Sequence, residues 1–345
     1  MAKSVGMGGP PQLSVILCVY NGETFLEEAI RSVLAQTFGS FEFLIVDDGS
    51  TDGTAAILAA CTDRRIRVIR NGSNLGLIAS LNIGLEAATG EFIARMDADD
   101  VCTPGRFQRQ IDFLRQHLDI GLCGSWLQVI GEETVIPFPV THEQIKVALL
   151  DQNPLAHPSV LFRSRLISDN GLKYDAEFLA AEDYELWTRL VFLTKLANIP
   201  EPLLLYRQHE QQVTSKKMAV VNSAAGRIKL RLLNSLELYP TEREKMIHLF
   251  LFNNDYRDLR HGDILAEADE WLNRLFAANR KFRQFDELDL LPLWKKKLLI
   301  TCIDYYSIPK WKVLKRTHCF RLAGFSPVEK MKLLIKCLLK RKVGP

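Results

Sequence analysis

Between residues 13 and 96, four short runs rich in branched apolar residues alternate with helix-like stretches, and polar or acidic groups follow each run. The first run, Leu13 to Tyr20 (LSVILCVY), is continuously apolar over a strand's length, the pattern of a strand covered on both faces. From Glu23 to Gln36, Leu26, Ile30, Val33 and Leu34 recur at helical spacing, and Glu23, Glu27 and Glu28 suit the positive end of the helix dipole. Further strands are predicted over Phe41 to Val46, Ile66 to Ile69 and Glu91 to Met96, with a short helix ending near Cys61 and another over Ile78 to Ala88. This alternation requires a mostly parallel sheet flanked by helices. Right-handed crossovers then place every loop that follows a strand on one edge, where open α/β sheets bind their ligands.

A less regular stretch follows over residues 101 to 213. It carries a helix from about Pro104 to His117, a strand near Ile120 to Ile130, the segment AHPSVLFR from Ala156, a helix over Glu182 to Leu193 and a strand into Tyr206. Beyond Thr214 the pattern turns helical, amphipathic and basic, so two regions are expected, 10–213 and 214–345. The net charge of +3 hides an asymmetry: 295–345 holds fourteen Lys or Arg against two acids, about +12, and leaves about −9 elsewhere. Seven scattered cysteines without zinc or disulfide spacing read as reduced thiols. With no leader-like opening and no apolar run of membrane-spanning length, a cytoplasmic location is expected.

The strongest chemical signal is Asp97, Asp99 and Asp100 at a strand's end. Three carboxylates in four residues repel unless a cation or water screens them, and hard oxygen donors of this kind suit Mg²⁺ or Mn²⁺. The plain alternative is a solvated acidic turn. A second acidic turn, Asp47 and Asp48 before Gly49 and Ser50, ends another strand on the same predicted edge, although alone it reads equally as an Asx turn. Glu182 and Asp183 open a helix whose other face is Leu186, Trp187, Leu190 and Val191. There a carboxylate can serve as general base or simply answer the helix dipole. His157 and His209 are further candidates, each equally at home as a structural histidine.

Several stretches together resemble the inverting family-two glycosyltransferases of the GT-A fold, of the type that builds bacterial cell-surface polysaccharides. They are LSVILCVYNGETFLEEAIRSVLAQTFGSFEFLIVDDGSTDGT, NLGLIASLNIGLEAATGEFIARMDADD with PGRF after it, HPSVLFR, AEDYELWTRL and YRQH, in that order across residues 13 to 213. The resemblance implies a GT-A nucleotide-diphospho-sugar transferase fold with a helical C-terminal extension. It implies that Tyr20 stacks on the nucleotide base, commonly uracil, that Asp48 hydrogen-bonds it and that Asp47 shapes the pocket. Asn74, Gly76 and Asn82 would line the nucleotide site. Asp97 and Asp99 match the D-x-D element that brings Mg²⁺ or Mn²⁺ to the diphosphate, with Asp100 beside them. Asp183 matches the catalytic base, with Glu182 in reserve. His209 matches a histidine near the metal or diphosphate, and Arg207 could add charge there. Cys18 departs from relatives with Thr two residues before the stacking aromatic, and a thiol is the weaker hydrogen-bonding group.

The implied partners are a nucleotide-sugar donor, a UDP-hexose or UDP-N-acetylhexosamine, and a saccharide or lipid-linked saccharide acceptor. From Trp294 to Lys342, basic clusters mix with Leu, Ile, Trp and Tyr at helical intervals, which suits peripheral attachment to the anionic inner membrane face or a solvated basic cap. No nucleic-acid reader motif accompanies the charge. Two other functions compete with this one. A nucleotidyltransferase would be expected to carry a Gly-rich phosphate loop and a basic residue after the first strand, where this chain has Val19, Tyr20, Asn21, Gly22 and Glu23. A catalytically inactive scaffold of a polysaccharide assembly complex would have no need of Asp97, Asp99 and Asp183.

Overall fold

A computed structural model describes residues 10–209, 218–253 and 264–294, and Lys297. The basic segment from residue 298 on lies outside them, as do Cys302, Cys319 and Cys337. The chain divides into two compact units. One runs to Ile145 and resumes from Asn153 to Val221; the other comprises Lys146–Gln152 and the chain from Asn222 on.

The first unit is built on one nine-stranded sheet. Its first half is the expected alternation: β1 (Leu13–Val19), α1 (Leu26–Leu34), β2 (Phe41–Asp47), α2 (Thr54–Ala60), β3 (Ile66–Arg70), α3 (Leu77–Ala87) and β4 (Phe92–Met96). These four strands lie in the order β3-β2-β1-β4, all parallel. In β1 every residue except Cys18 is buried, because helices cover both faces. α1 turns Leu26, Ala29, Ile30 and Val33 into the core.

Expectation and structure part in two places here. α1 starts at Leu26 rather than near Glu23, because Asn21 takes a left-handed φ of 53° and Glu23 stays in the loop. There the Glu23 carboxylate accepts from Gly53 N at 2.6 Å and its backbone N–H donates to Asp52 at 3.1 Å. The sheet, parallel in its long ladders as expected, also carries short antiparallel pairings that the sequence pattern did not mark. After β5 (Val101–Cys102) and α4 (Arg106–Gln116) come β6 (Ile120–Val129), β7 (Val135–Ile136), α5 (His142–Ala148), β8 (Leu161–Arg163), α6 (Arg165–Ser168), α7 (Glu182–Leu190) and β9 (Lys195–Tyr206). β8 runs antiparallel to both β4 and β6, and β5 antiparallel to β9, while β6 and β9 are parallel.

Register settles where the loops emerge. Val19 lies opposite Asp47, and Leu17 opposite Met96, so the chain leaves β1, β2 and β4 at one edge, each about 4.8 Å from its neighbour.

The second unit is helical, with α8 (Met218–Leu232) leading into it, followed by α9 (Glu242–Asn253) and α10 (Ile264–Phe282). Ile228, Leu232, Leu251, Ala268, Trp271 and Leu272 are among its buried apolar residues. Several of its buried polar groups are paired: Lys229 Nζ donates to the Phe252 carbonyl at 2.5 Å, Trp271 Nε1 to His248 at 3.2 Å, and Lys297 forms an ion pair with Asp151. No helix among the described residues is long and apolar enough to cross a membrane.

Candidate active site

The loops after β1 and β2 are tied to each other. Asn21 N donates to Ser50 Oγ at 3.0 Å, Thr51 N to Asn21 Oδ1 at 2.9 Å, and Gly22 N to Thr54 Oγ1 at 2.9 Å. Tyr20 stands just past β1 with 48% of its surface exposed, a large ring left uncovered at the ligand-binding edge.

Asp47 and Asp48 are both buried, and they differ in what they hold. Asp47 closes its own turn by accepting from Ser50 N at 2.9 Å and faces Arg70 Nε at 3.3 Å. Asp48 organises the loop after β3. Oδ1 accepts from Asn71 Nδ2 at 2.8 Å and Leu75 N at 2.9 Å, and Oδ2 accepts from Gly76 N at 2.9 Å. A carboxylate has about four acceptor positions, so roughly one is left for a ligand. Gly49 lets the two loops meet: its φ is +74°, and a Cβ there would fall 2.6 Å from the Ser73 carbonyl carbon.

Asn74 is exposed on that loop and accepts from Gly76 N at 3.1 Å; Gly76 has a φ of 90°. Asn82 sits on α3, and each end of its amide bonds the Tyr174 backbone. It donates to Tyr174 O at 3.0 Å and accepts from Tyr174 N at 2.9 Å, so it anchors the Tyr174 segment.

Past β4, one ligand oxygen from each of Asp97, Asp99 and Asp100 lies within 4.8 Å of the others. Each carboxylate is steered by a partner. Asp97 forms an ion pair with Arg95, Asp99 Oδ2 is 2.9 Å from His209 Nε2, and Asp100 Oδ1 accepts from Arg207 N at 2.9 Å. Arg207 Nε also donates to the Asp99 carbonyl at 2.8 Å, and its guanidinium lies 4.4 Å from the centre of the Phe25 ring. β9 therefore delivers Arg207 and His209 onto the acidic loop. Asp100 Oδ2 is buried with no partner among the described residues. An all-oxygen carboxylate group with one buried oxygen unanswered, and an imidazole beside it, fits a hard divalent cation. Burial and then the charge of Asp97 push the Asp100 carboxyl up to about 8.

Glu182 and Asp183 open α7. Asp183 Oδ1 accepts from Tyr184 N and Oδ2 from Asn153 Nδ2, both at 2.7 Å. Glu182 is buried, with Oε2 unpartnered among the described residues. Burial first, and the neighbouring Asp183 charge second, push its carboxyl up to about 7. His157 is fully enclosed, 2.9 Å from the Tyr174 hydroxyl and edge-on to Trp187, and burial drives its proton affinity well down. It is a neutral packing partner of Tyr174 and carries no charge into the site.

What joins these groups is a residue the sequence reading passed over. Arg95 is buried in the otherwise apolar β4, and its charge acts on Asp97, Asp100, Glu182, Asp183 and Tyr174. Its Nη1 finds no hydrogen-bond partner among the described residues. Cys18, whose thiol burial pushes up to about 12, feels Arg95, Asp97 and Asp48 together. Asp48 and the Asp97 group are thus linked through Cys18, and the Asp97 group and the Glu182–Asp183 pair through Arg95. A second buried cation, Arg106, donates to the Arg95 carbonyl at 2.8 Å and to Cys102 Sγ at 3.2 Å, holding the end of β4 from behind. A charged residue inside a fully buried strand was the available signal for Arg95; nothing local marked Asn153 or Tyr174.

Residues 14–167 match the family model described as Glycosyl transferase family 2. An uncharacterized glycosyltransferase of Haemophilus influenzae is 35% identical over 233 residues, which cover 64% of this chain and 72% of the relative. The amylovoran biosynthesis glycosyltransferase AmsE of Erwinia amylovora is 31% identical over 59% of this chain and 79% of its own length. Among solved structures, S. aureus TarS residues 1–349 in complex with UDP-GlcNAc align over 96% of this chain and 92% of that one with a TM-score of 0.59 and 19% identity, a likeness of fold. The mixed sheet with flanking helices and a helical C-terminal region is that GT-A-like fold. The chain is a glycosyltransferase and belongs to glycosyl transferase family 2.

Proposed function

We propose that this enzyme transfers a hexose or N-acetylhexosamine from a UDP-sugar to a hydroxyl of a saccharide or lipid-linked saccharide, with inversion at the anomeric carbon. The observation that supports the reading is the arrangement around Arg95: the Asp97, Asp99 and Asp100 group at the end of its strand and the Glu182–Asp183 pair both feel its charge, and Cys18 feels Arg95, Asp97 and the buried Asp48. The UDP-GlcNAc complex of TarS and the polysaccharide assignment of AmsE support the choice of donor and acceptor class.

In this reading Tyr20 stacks on the base, Asp47 and Asp48 with the Asn74 and Gly76 loop frame the nucleoside, and Asn82 acts through Tyr174. Asp97 and Asp99, with His209, would hold Mg²⁺ or Mn²⁺. When bound, that cation supplies charge stabilisation to the leaving diphosphate. The acceptor oxygen attacks the anomeric carbon as its bond to the diphosphate oxygen breaks. The bonding pair leaves with the diphosphate, and the acceptor's proton passes to Asp183. Inversion needs one carboxylate only. Glu182, with a proton affinity near neutrality, reaches the same surface as a reserve. Arg207 steadies the acidic loop through the Asp99 carbonyl.

The basic segment 295–345, outside the described residues apart from Lys297, would bring the enzyme to an anionic membrane face where lipid-linked acceptors sit. Deletion after Leu291 should then release the protein from anionic vesicles, and added salt should do the same.

The test is a panel of nucleotide sugars with Mn²⁺, read by UDP or GDP release and by the anomeric configuration of the product. Release from a UDP-sugar, an inverted product, and loss of transfer with retained nucleotide affinity in Asp183→Asn are expected. Failure to bind or cleave any donor would favour a scaffold, and undiminished transfer by Asp183→Asn would remove it as base.

A further inference from the structure

Asp183 stands at the end of a series of fixed groups that begins at Asn198 in β9. In β9, the buried Asn198 donates from Nδ2 to the Pro139 carbonyl at 2.7 Å and to the Pro154 carbonyl at 3.0 Å. It has room to do so because its partner in the β6 register is Gly124: a Cβ there would lie 2.3 Å from Asn198 Oδ1. Pro154 is thereby fixed from both sides, by its ring and by its carbonyl. The residue before a proline is confined to extended backbone, so Asn153 has little freedom of its own.

Its side chain is equally determined. Asn153 Oδ1 accepts from Leu155 N at 3.2 Å, an Asx turn across Pro154, and Nδ2 donates to Asp183 Oδ2 at 2.7 Å. A backbone N–H only donates and an ionised carboxylate only accepts, so the amide has a single orientation that satisfies both neighbours. The second Asp183 oxygen is held by the Tyr184 N–H. With both oxygens engaged, the carboxylate cannot rotate without losing a hydrogen bond.

We propose that Asn153 is the positioning residue for Asp183, its amide locking the carboxylate's rotation so that one set of oxygen lone pairs faces the acceptor hydroxyl. This rests on the reading of Asp183 as the base and adds the group that aims it. Asn153 itself touches no reacting atom. It also acts with the Arg95 charge, both favouring the Asp183 anion. Glu182 adjoins it on α7, Tyr174 faces it from the preceding loop, and Arg95 faces it from β4, while Asp97 acts on Glu182. Burial disfavours the Asp183 anion, whereas the Asn153 amide and the Tyr184 N–H favour it.

Two substitutions separate positioning from mere support of the turn. Asn153→Ser keeps an oxygen able to accept from Leu155 N but withdraws the donor from Asp183. Asn153→Asp keeps the shape and the turn bond but places an acceptor, and at higher pH a like charge, against Asp183. Infrared pH-difference spectra of the full chain, with the Asp183→Asn spectrum subtracted to assign the band, read the protonation of Asp183 without any substrate. The midpoint of that band is expected to rise by about one pH unit, tenfold in proton affinity, in Asn153→Ser. In the UDP-GlcNAc and Mn²⁺ release assay, the acid limb of kcat should move the same way in both variants, with donor KM within about twofold of wild type, because the donor side is untouched. An Asp183 midpoint in Asn153→Ser that coincides with wild type would overturn the inference. Failure of the base assignment would show separately, as transfer that survives Asp183→Asn.

Discussion

The Arg95 guanidinium, buried within β4, forms an ion pair with Asp97 two residues along the same chain, where the strand gives way to the acidic loop. The pair is one-sided. Arg95 retains 7% of its side-chain exposure and Asp97 32%, so removing the cation leaves the Asp97 carboxylate beside Asp99 and Asp100 with the charge of Arg106 left to offset them. Breaking a fully buried pair costs about 3–5 kcal/mol, and the partial exposure of Asp97 puts Arg95→Met at the lower end, about 3 kcal/mol. Chemical denaturation should show that loss, and the double variant Arg95→Met with Asp97→Asn should recover part of it. Additive losses in the double variant would mean the two residues are energetically independent.

Tyr20 is an exposed ring just past β1, where the proposed function puts the nucleotide base. Offset stacking is worth about 0.5–1.5 kcal/mol beyond buried area, so Tyr20→Ala should weaken UDP binding by about tenfold in calorimetry while leaving the melting temperature within a degree or two. Unchanged UDP affinity would remove the ring from the site.

Gly49→Ala should harm both stability and nucleotide binding. Its φ of +74° disfavours a side chain, and the new Cβ would strike the Ser73 backbone, which does not yield as a flexible side chain would. A cost of about 1–3 kcal/mol is expected, with weaker UDP binding as the loop after β3 moves away from Asp48. Gly39→Ala is the control, since nothing lies within 4 Å of its added Cβ. Equal behaviour of the two variants would contradict the close approach of the loops.

The raised carboxyls predict an unusual pH dependence. Asp100 is pushed up to about 8 from 3.8 and Glu182 to about 7 from 4.5, both chiefly by burial. Between the unfolded and folded values the native state binds more protons than the unfolded chain, so stability falls as pH rises through that window. The cation-free protein should melt higher near pH 5 than near pH 8. Mn²⁺ should raise the melting temperature more at the higher pH, where protons no longer compete for the carboxylates. Asp100→Asn combined with Glu182→Gln should flatten the metal-free decline, against the rise below pH 6.5 that the buried His157 and His248 contribute, and a decline of unchanged size in that variant would refute its assignment to these two groups.

Much of this organisation could be read from residue patterns because its causes are local. Leu13 to Val19 and Phe41 to Asp47 are buried on both faces, so unbroken apolar runs marked the parallel strands, and the acids beyond them marked the ligand edge. The antiparallel half escaped because β5, β7 and β8 are two or three residues long, too short for any period to register, and only their pairing partners make them strands. Glu23 looked like part of a helix until long-range bonds to Asp52 and Gly53 held it in a loop. Asn82 drew notice by its place in a motif, and its bonds to the backbone of Tyr174, 92 residues away, could not be read from that place. Arg95 and Asn153 acquire meaning only through neighbours distant in sequence, which no local window contains.

In the proposed reaction nucleotide, cation and base share one volume. Anomalous diffraction from crystals grown with UDP and Mn²⁺ tests this most directly. The manganese peak should sit between Asp97, Asp99 and His209, bridging to the diphosphate, with uracil against Tyr20 beside Asp48 and with Asp183 facing the vacant sugar position. A manganese peak away from those carboxylates, or UDP bound on another face of the sheet, would contradict it.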